Sequence, residues 1–222
     1  MNENELKEIA ALKSREYVPL EGFVGIGTGS TVKYLIKLLA EDYRKYSNVT
    51  FVPTSAESMD LLDAGGLKTS TNFAGQIRID IDGADEIDPH GNLIKGGGSA
   101  LTREKIVAVN SERLIVIADE SKLVKKLGRF KIPVEILEFL SEQTVKNLEK
   151  LGCNASYRLG EKSRSDNGNI VVDLDFGLLD NIIEKEIELK MIPGVVEAGL
   201  FVGITWKSII GTQNGAKEKT YK

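Results

Sequence analysis

Phe23-Val24-Gly25-Ile26-Gly27-Thr28-Gly29-Ser30-Thr31-Val32 begins as an apolar run and ends in glycines and hydroxyl residues. Phe23 to Gly27 has the length of a buried strand, and Val32, Leu35, Ile36 and Leu39 then recur at helical spacing. A strand that passes through a glycine turn straight into a helix is the unit from which parallel sheets are assembled. The flanking segments extend the pattern. Upstream, Leu6, Ile9, Ala10 and Lys13 share a helix face, with the lysine stem snorkelling at its edge. Downstream, Val49 to Pro53 reads as a strand, and Ser55 caps a helix carrying Met59 and Leu62 that ends at Gly65-Gly66. Ile77, Ile79 and Ile81 alternate with Arg78, Asp80 and Asp82, the pattern of a half-buried strand running into acidic residues. Ala100 to Val109 reads as a helix and Leu114 to Ala118 as a buried strand. The alternation predicts an α/β fold, a mostly parallel sheet with helices on both faces.

Beyond Phe130 the texture changes. Pro133 precedes a helical stretch with Ile136, Leu137, Leu140, Val145 and Leu148, ended by Gly152. Asn154 to Leu159 reads as a weak strand, and Asp166-Asn167-Gly168-Asn169 as a turn into a strand over Ile170 to Phe176. Leu179, Ile182, Ile183 and Ile187 set a second helix before Pro193-Gly194. Strand, helix, strand, strand, helix, strand is an α+β order of ferredoxin-like type. Leu200 to Trp206 and Ser208 to Gly211 are expected to return to the first sheet as strands. The expected domains are 1–128 with 203–222, and a small α+β domain over 129–202.

Composition narrows the chemistry. The chain has 222 residues, 29 Lys plus Arg against 33 Asp plus Glu, and a net charge of −4, which disfavours nucleic acid as a partner. No apolar run approaches the ~18 residues of a membrane span, and the polar start from Met1 to Lys7 is no signal-peptide core. A soluble, cytoplasmic protein with no membrane partner is expected. One cysteine, Cys153, cannot form an internal disulfide or a thiolate metal cage. One histidine, His90, rules out a His-based zinc site. The chemistry must run on Asp, Glu, Lys, Ser, Thr and backbone.

Four motifs carry candidate chemistry. The Gly25 to Thr31 turn offers close backbone approach, uncommitted helix N–H groups and three hydroxyls, a combination suited to a phosphate dianion. It lacks the Gly-Lys-Ser/Thr of a Walker loop and the third glycine and ribose acid of a dinucleotide fingerprint. A plain glycine turn capped by Ser30 is the alternative. Asp82-Gly83-Ala84-Asp85-Glu86, with Asp88, follows a parallel strand and so belongs at the ligand-binding edge of the sheet. Its carboxylates suit proton transfer, sugar hydroxyls, a divalent cation or simply a turn. Lys95-Gly96-Gly97-Gly98-Ser99 can form an anion nest with a cation on its rim, or serve as a mobile linker. Glu104, in Thr102-Arg103-Glu104-Lys105, could reach this loop or sit on a solvated helix face. Lys7 and Lys122 read as surface lysines, His90 as a turn residue and Cys153 as a small core residue.

In this order and spacing, Gly-Thr-Gly-Ser-Thr, Asp-Gly-Ala-Asp-Glu, Lys-Gly-Gly-Gly and Ala-Leu-Thr-Arg-Glu-Lys closely resemble the ribose-5-phosphate isomerases of the A type. The likeness runs through Glu5-Leu6-Lys7, Ile117 to Lys122, Pro133-Val134-Glu135, Ile192 to Val196 and Gly199-Leu200-Phe201. Trp206 and Lys207 depart from it. The resemblance implies a Rossmann-like domain with a smaller α+β domain, a homodimer or sometimes a tetramer. It also implies interconversion of ribose 5-phosphate and ribulose 5-phosphate in the pentose phosphate pathway, with no metal and no organic cofactor. Thr28, Gly29, Ser30 and Thr31 would line the sugar phosphate. Asp82, Gly83, Ala84 and Asp85, with Lys95, Gly96, Gly97 and Gly98, would line the reacting end. Glu104 would accept the proton, Lys122 would contact substrate, and Lys7 is a further candidate.

That chemistry takes a proton from carbon two, stabilises a cis-enediolate and returns the proton to carbon one. One carboxylate over one face can make both transfers, which agrees with a chain holding a single histidine. Asp82 would assist ring opening, while Asp85, Lys95 and the glycine amides would hold the oxygens as charge develops. The unreactive phosphate would supply orienting binding energy. A nicotinamide-dependent dehydrogenase, a sugar-phosphate sensor and an amino-sugar-phosphate isomerase are the competing readings.

Overall fold

The computed structural model describes residues 1–221. In chain order the first elements are α1 (Glu3–Ser14), β1 (Glu21–Ile26), α2 (Ser30–Glu41), β2 (Asn48–Pro53), α3 (Ala56–Ala64) and β3 (Ile77–Asp82). Then come β4 (Glu86–Ile87), β5 (Leu93–Ile94), α4 (Leu101–Val109), β6 (Leu114–Asp119), β7 (Ile132–Ile136), α5 (Ser141–Glu149) and β8 (Asn154–Tyr157). The last are β9 (Ile170–Asp175), α6 (Ile182–Lys190), β10 (Val195–Ala198), β11 (Leu200–Phe201), β12 (Thr205–Thr212) and β13 (Gly215–Thr220). They divide into two compact units, 1–84 with 103–122 and 204–222, and 85–102 with 123–203.

The first unit holds a six-stranded sheet in the order β13-β12-β6-β3-β1-β2. Its strands run parallel except β13, which closes a hairpin on β12. One face packs Val24, Ile26, Ile79, Ile81, Ile115, Ile117 and Ile209 with the apolar sides of α1 and α2. On the other face Val52 and Ile77 pack with Val107 of α4. The α/β reading therefore holds, with two revisions. β3 is not half-buried: it lies between β6 and β1, and Asp80 and Asp82 are as buried as the isoleucines. Strands covered on both faces lose the in/out contrast that alternation normally signals. α1 buries Leu6, Lys7, Ala10, Ala11 and Ser14, a face turned toward Ala11 rather than Lys13. It comes so close to β12 that a Cβ on Gly211 would lie 1.8 Å from the carbonyl oxygen of Leu6.

In the second unit β7, α5, β8, β9, α6 and β10 form an antiparallel sheet ordered β10-β7-β9-β8, the arrangement expected of a ferredoxin-like βαββαβ chain. Ile136 is the end of a strand, not part of the helix expected after Pro133, and the helix begins only at Ser141. Every residue of β7 is buried, so its sequence shows no strand period. Leu200 and Phe201 do not return to the first sheet. They form β11 and pair with β5, which pairs with β4. This small sheet draws 85–102 into the second unit, whereas the sequence suggested 1–128 for the first. Cys153 is buried in this unit's core, and burial pushes its thiol up to about 11.

Candidate active site

In the first unit, several of the expected groups gather at the C-terminal edge of the parallel strands. The Gly27 amide donates to the Ile81 carbonyl at 3.0 Å, which carries the β1–β3 register one residue past the strand. Asp82, at the end of β3, accepts through Oδ1 from the Thr28 amide at 3.1 Å and the Gly83 amide at 2.7 Å. A Cβ on Gly27 would lie 1.7 Å from that same oxygen, so only glycine permits the approach. Gly29 takes φ +127° and occupies the N-cap of α2, where it offers no capping side chain. The first-turn amides of α2 thus meet no side-chain cap, as an anion site requires. Ser30 is the helix's first residue rather than its cap; it is exposed, and Thr31 is buried.

The Thr28 hydroxyl lies 2.9 Å from Thr54 Oγ1 and 2.8 Å from Ser55 Oγ. Ser58 Oγ donates to the Gly27 carbonyl at 2.6 Å, and Ser55 caps α3 by accepting from the Ser58 amide at 3.1 Å. Thr54 and Ser58 thus brace the turn from beneath. Only the cap at Ser55 had a signal in the sequence, because the other two hydroxyls belong to a neighbouring strand and helix.

Glu104 is 3 % exposed, which excludes the solvated-face alternative. Val107, one turn later on α4, packs where a Cβ on Gly25 would sit, over the last residues of β1. The first turn of α4, with Glu104, therefore lies toward the edge that carries Asp82 and Thr28. Lys7 is buried and pairs with Glu3 one turn earlier. Lys122 is half-buried in the turn after β6, where Asp119 Oδ1 accepts from the Ser121 amide at 2.9 Å.

The second unit carries Asp85 and the glycine loop. The Asp85 amide donates to the Ile94 carbonyl, and its Oδ2 accepts from the Gly97 amide at 2.8 Å. Lys95 is buried; its amide donates to Gly199, and its Nζ stands 5.5 Å from the centroid of the Phe201 ring. Gly96 takes φ +100°, and Ser99 takes φ +66°, a left-handed angle that costs a non-glycine residue. The other acids of the motif build structure. Glu86 accepts from the Gly128 and Phe130 amides, and Asp88 from the His90 and Asn92 amides, which leaves His90 as the exposed turn residue expected. Among the described residues no group of three or more His, Cys, Asp or Glu is arranged to hold a metal ion.

Three residues to which the sequence assigned no role act on these motifs. Glu135 of β7 is fully buried, accepts from the Thr102 hydroxyl at 2.5 Å and from Asn169 Nδ2 at 2.8 Å, and so anchors the start of α4. Arg158 and Asp173 grip the loop over Lys95 to Ser99.

Known proteins resemble this chain over nearly its whole length. The family model described as "Ribose 5-phosphate isomerase A (phosphoriboisomerase A)" matches residues 50–215. A ribose-5-phosphate isomerase A of Picrophilus torridus is 46% identical over 217 residues, covering 98% of each chain. Among solved structures, a D-ribose-5-phosphate isomerase in complex with phospho-erythronic acid superimposes with a TM-score of 0.94 at 36% identity, covering 99% of this chain and 100% of that one. A ribose 5-phosphate isomerase A from Neisseria gonorrhoeae gives 0.93 at 37% identity, covering 100% and 98%.

Proposed function

Because the chain belongs to the ribose 5-phosphate isomerase A family, we propose that it interconverts D-ribose 5-phosphate and D-ribulose 5-phosphate through a cis-enediolate, in the non-oxidative branch of the pentose phosphate pathway. The sugar phosphate is its substrate, and the chemistry calls for neither metal nor organic cofactor. We read the enzyme as a cytoplasmic homodimer, as expected of its family.

The observation that carries the reading is a buried glutamate at the edge of a parallel sheet, in the helix that follows the triple-glycine loop. Glu104 takes the proton from carbon two and returns it to carbon one. Asp82 assists ring opening and carries the hydroxyl proton; its Oδ1 is committed to two backbone amides, which fixes the carboxyl group's orientation. Lys95 and the amides of Gly96 and Gly98 stabilise the oxygens as negative charge develops, while Asp85, which fixes the Gly97 amide, holds a sugar hydroxyl by accepting its hydrogen bond; a donor held in place before reaction spends nothing on reorganisation. Thr28 to Thr31, with Lys7 and Lys122, hold the sugar phosphate at the N-terminus of α2.

The test is ketose formation from ribose 5-phosphate, followed by ultraviolet absorbance in the presence of a chelator. Glu104→Gln keeps the side chain's shape and removes the base, so kcat should fall about 10²- to 10⁴-fold while KM stays near the parent value. Turnover close to normal would remove Glu104 from this role.

A further inference from the structure

Lys95-Gly96-Gly97-Gly98-Ser99 has little of its own to hold one shape beyond a single turn bond, from the Ser99 amide to the Gly96 carbonyl at 2.9 Å. Three successive glycines maximise the backbone freedom that must be lost, and Ser99 is held at a left-handed angle that its side chain disfavours. The rest of the loop's form is imposed by its neighbours. Arg158, the residue after β8, supplies much of that constraint. Its Nη1 donates to the Gly96 carbonyl at 2.7 Å, to Ser99 Oγ at 2.9 Å and, more loosely, to the Gly97 carbonyl at 3.4 Å. The other side of the guanidinium is locked on Asp173 of β9, with Nε to Oδ2 at 2.8 Å and Nη2 to Oδ1 at 2.6 Å. This is the parallel two-bond fork that arginine makes with a carboxylate and lysine cannot.

We propose that Arg158 is a positioning residue for the isomerisation, and that with Asp173 it forms a clamp orienting the amides of the Lys95–Ser99 loop. In a trans peptide the carbonyl and the following N–H point in opposite directions. Drawing the Gly96 and Gly97 carbonyls toward Arg158 therefore turns the Gly97 and Gly98 amides the other way. The Gly97 amide, so turned, meets Asp85 Oδ2 at 2.8 Å. One guanidinium thus sets the direction of two amides and, through one of them, the position of Asp85. Asp173 is needed because the Arg158 side chain is only 9% exposed. An unneutralised guanidinium close to this loop would carry a large desolvation cost.

The proposal rests on the reading of this loop as serving the reacting end of the sugar, so Lys95→Met is measured alongside. The variants are Arg158→Ala, Arg158→Lys and Asp173→Asn. Their readouts are kcat, KM for ribose 5-phosphate and the melting temperature, together with rescue by guanidinium at a concentration that leaves the parent enzyme active. Arg158→Ala should lose about 100-fold in kcat with KM changed by less than about threefold, the scale expected when reacting groups shift by about 1 Å. Guanidinium should restore part of that loss in Arg158→Ala. It should restore none in Arg158→Lys, where the lysine stem fills the space but cannot fork. Asp173→Asn should lose about 10-fold, since the arginine stays but its second anchor is weakened.

If Arg158→Ala fails to fold, the two conservative variants decide. A folded Arg158→Lys and a folded Asp173→Asn with kcat within about twofold of the parent overturn the clamp, as does a change confined to KM. Full turnover by Lys95→Met would overturn the reading of the loop itself. An inactive Lys95→Met beside unimpaired Arg158 variants would overturn the clamp alone.

Discussion

After β1 the chain turns at Gly27 because Asp82 leaves no room for a side chain; after β5 it turns at Gly96 because the backbone must take a left-handed angle. Both turns are rich in glycine and both are read as holding negatively charged oxygens, yet they are built by different means. The first is an outgrowth of the sheet. Its shape comes from a ladder hydrogen bond to Ile81, a carboxylate at the end of the next strand and hydroxyls rising from α3. The second stands beyond two-residue strands and, past its own Ser99-to-Gly96 turn bond, is shaped by Asp85 on one side and Arg158 on the other. The ladder bond of the first turn survives a change of side chain, whereas a loop whose outside partners are side chains transmits such changes. Glycine content alone says little about rigidity; what matters is which partners the amides and carbonyls have.

The largest effect should separate the two carboxylates. Asp82→Asn removes a charge from a turn that keeps its form, because the amide oxygen can still accept from the Thr28 and Gly83 N–H groups. It should lose about 100-fold or more in kcat with KM little changed. Asp85→Asn removes charge from a loop that depends on that side chain, so KM should rise along with the loss of kcat. Steady-state kinetics on the two variants checks this. Equal effects on kcat and KM in both would mean that the two turns are held alike.

Stability should sort the glycines next. In Gly27→Ala the new methyl lies 1.7 Å from Asp82 Oδ1 and 1.9 Å from its Cγ, in a group pinned by two amides. The expected cost is about 3 kcal/mol, at the upper end for overpacking. In Gly97→Ala the nearest atom is Asp85 Oδ1 at 2.5 Å, at the end of a side chain that can swing aside. Its cost should be about 1 kcal/mol, with the damage appearing in turnover instead. Denaturant unfolding of both proteins checks the order, and a larger loss for Gly97→Ala would reverse the comparison.

How far these features were legible in the sequence follows the same division. Strands that end in a motif could be read: Phe23 to Gly27 led into the turn, and Ile77 to Asp82 delivered the acid. Glu104 was visible as a motif, although its burial was not, since a glutamate between Arg103 and Lys105 reads as a surface residue. The second unit was harder. Pro133 sits inside β7, a central strand, where proline normally argues against the assignment. It is tolerated here while its carbonyl accepts from the Gly199 amide at 2.7 Å. β4, β5 and β11 are two residues each, too short for any period to register. Arg158 and Asp173 lie 15 residues apart, one just past β8 and the other on β9, and no spacing rule brings such a pair together. Contacts along the chain leave motifs, while contacts across a sheet do not.

The smallest effect belongs to the β12–β13 edge of the first unit, and it serves as the control for both turns. Lys207 of β12 donates to Glu218 of β13 and to the Tyr17 hydroxyl, each at 2.7 Å, while its Nζ stands 5.0 Å from the centroid of the Trp206 ring. Tyr17 also donates to Glu218, and Lys13 stands 3.4 Å from it. The hydrogen bond from Lys207, followed by that from Tyr17, pulls the Glu218 carboxyl down to about 2 from its ordinary 4.5. A folded-state value below the unfolded one adds stability above pH 4.5, and that stability fades as the pH falls from there toward 2. The side chain is partly exposed, so water screens much of the effect and about 1 kcal/mol is its upper bound. Glu218→Gln should therefore melt slightly below the parent at neutral pH and converge with it in acid, while kcat stays the same. A gap in melting temperature that persisted to pH 2 would show that packing of the hairpin, rather than its charge, holds this edge of the sheet.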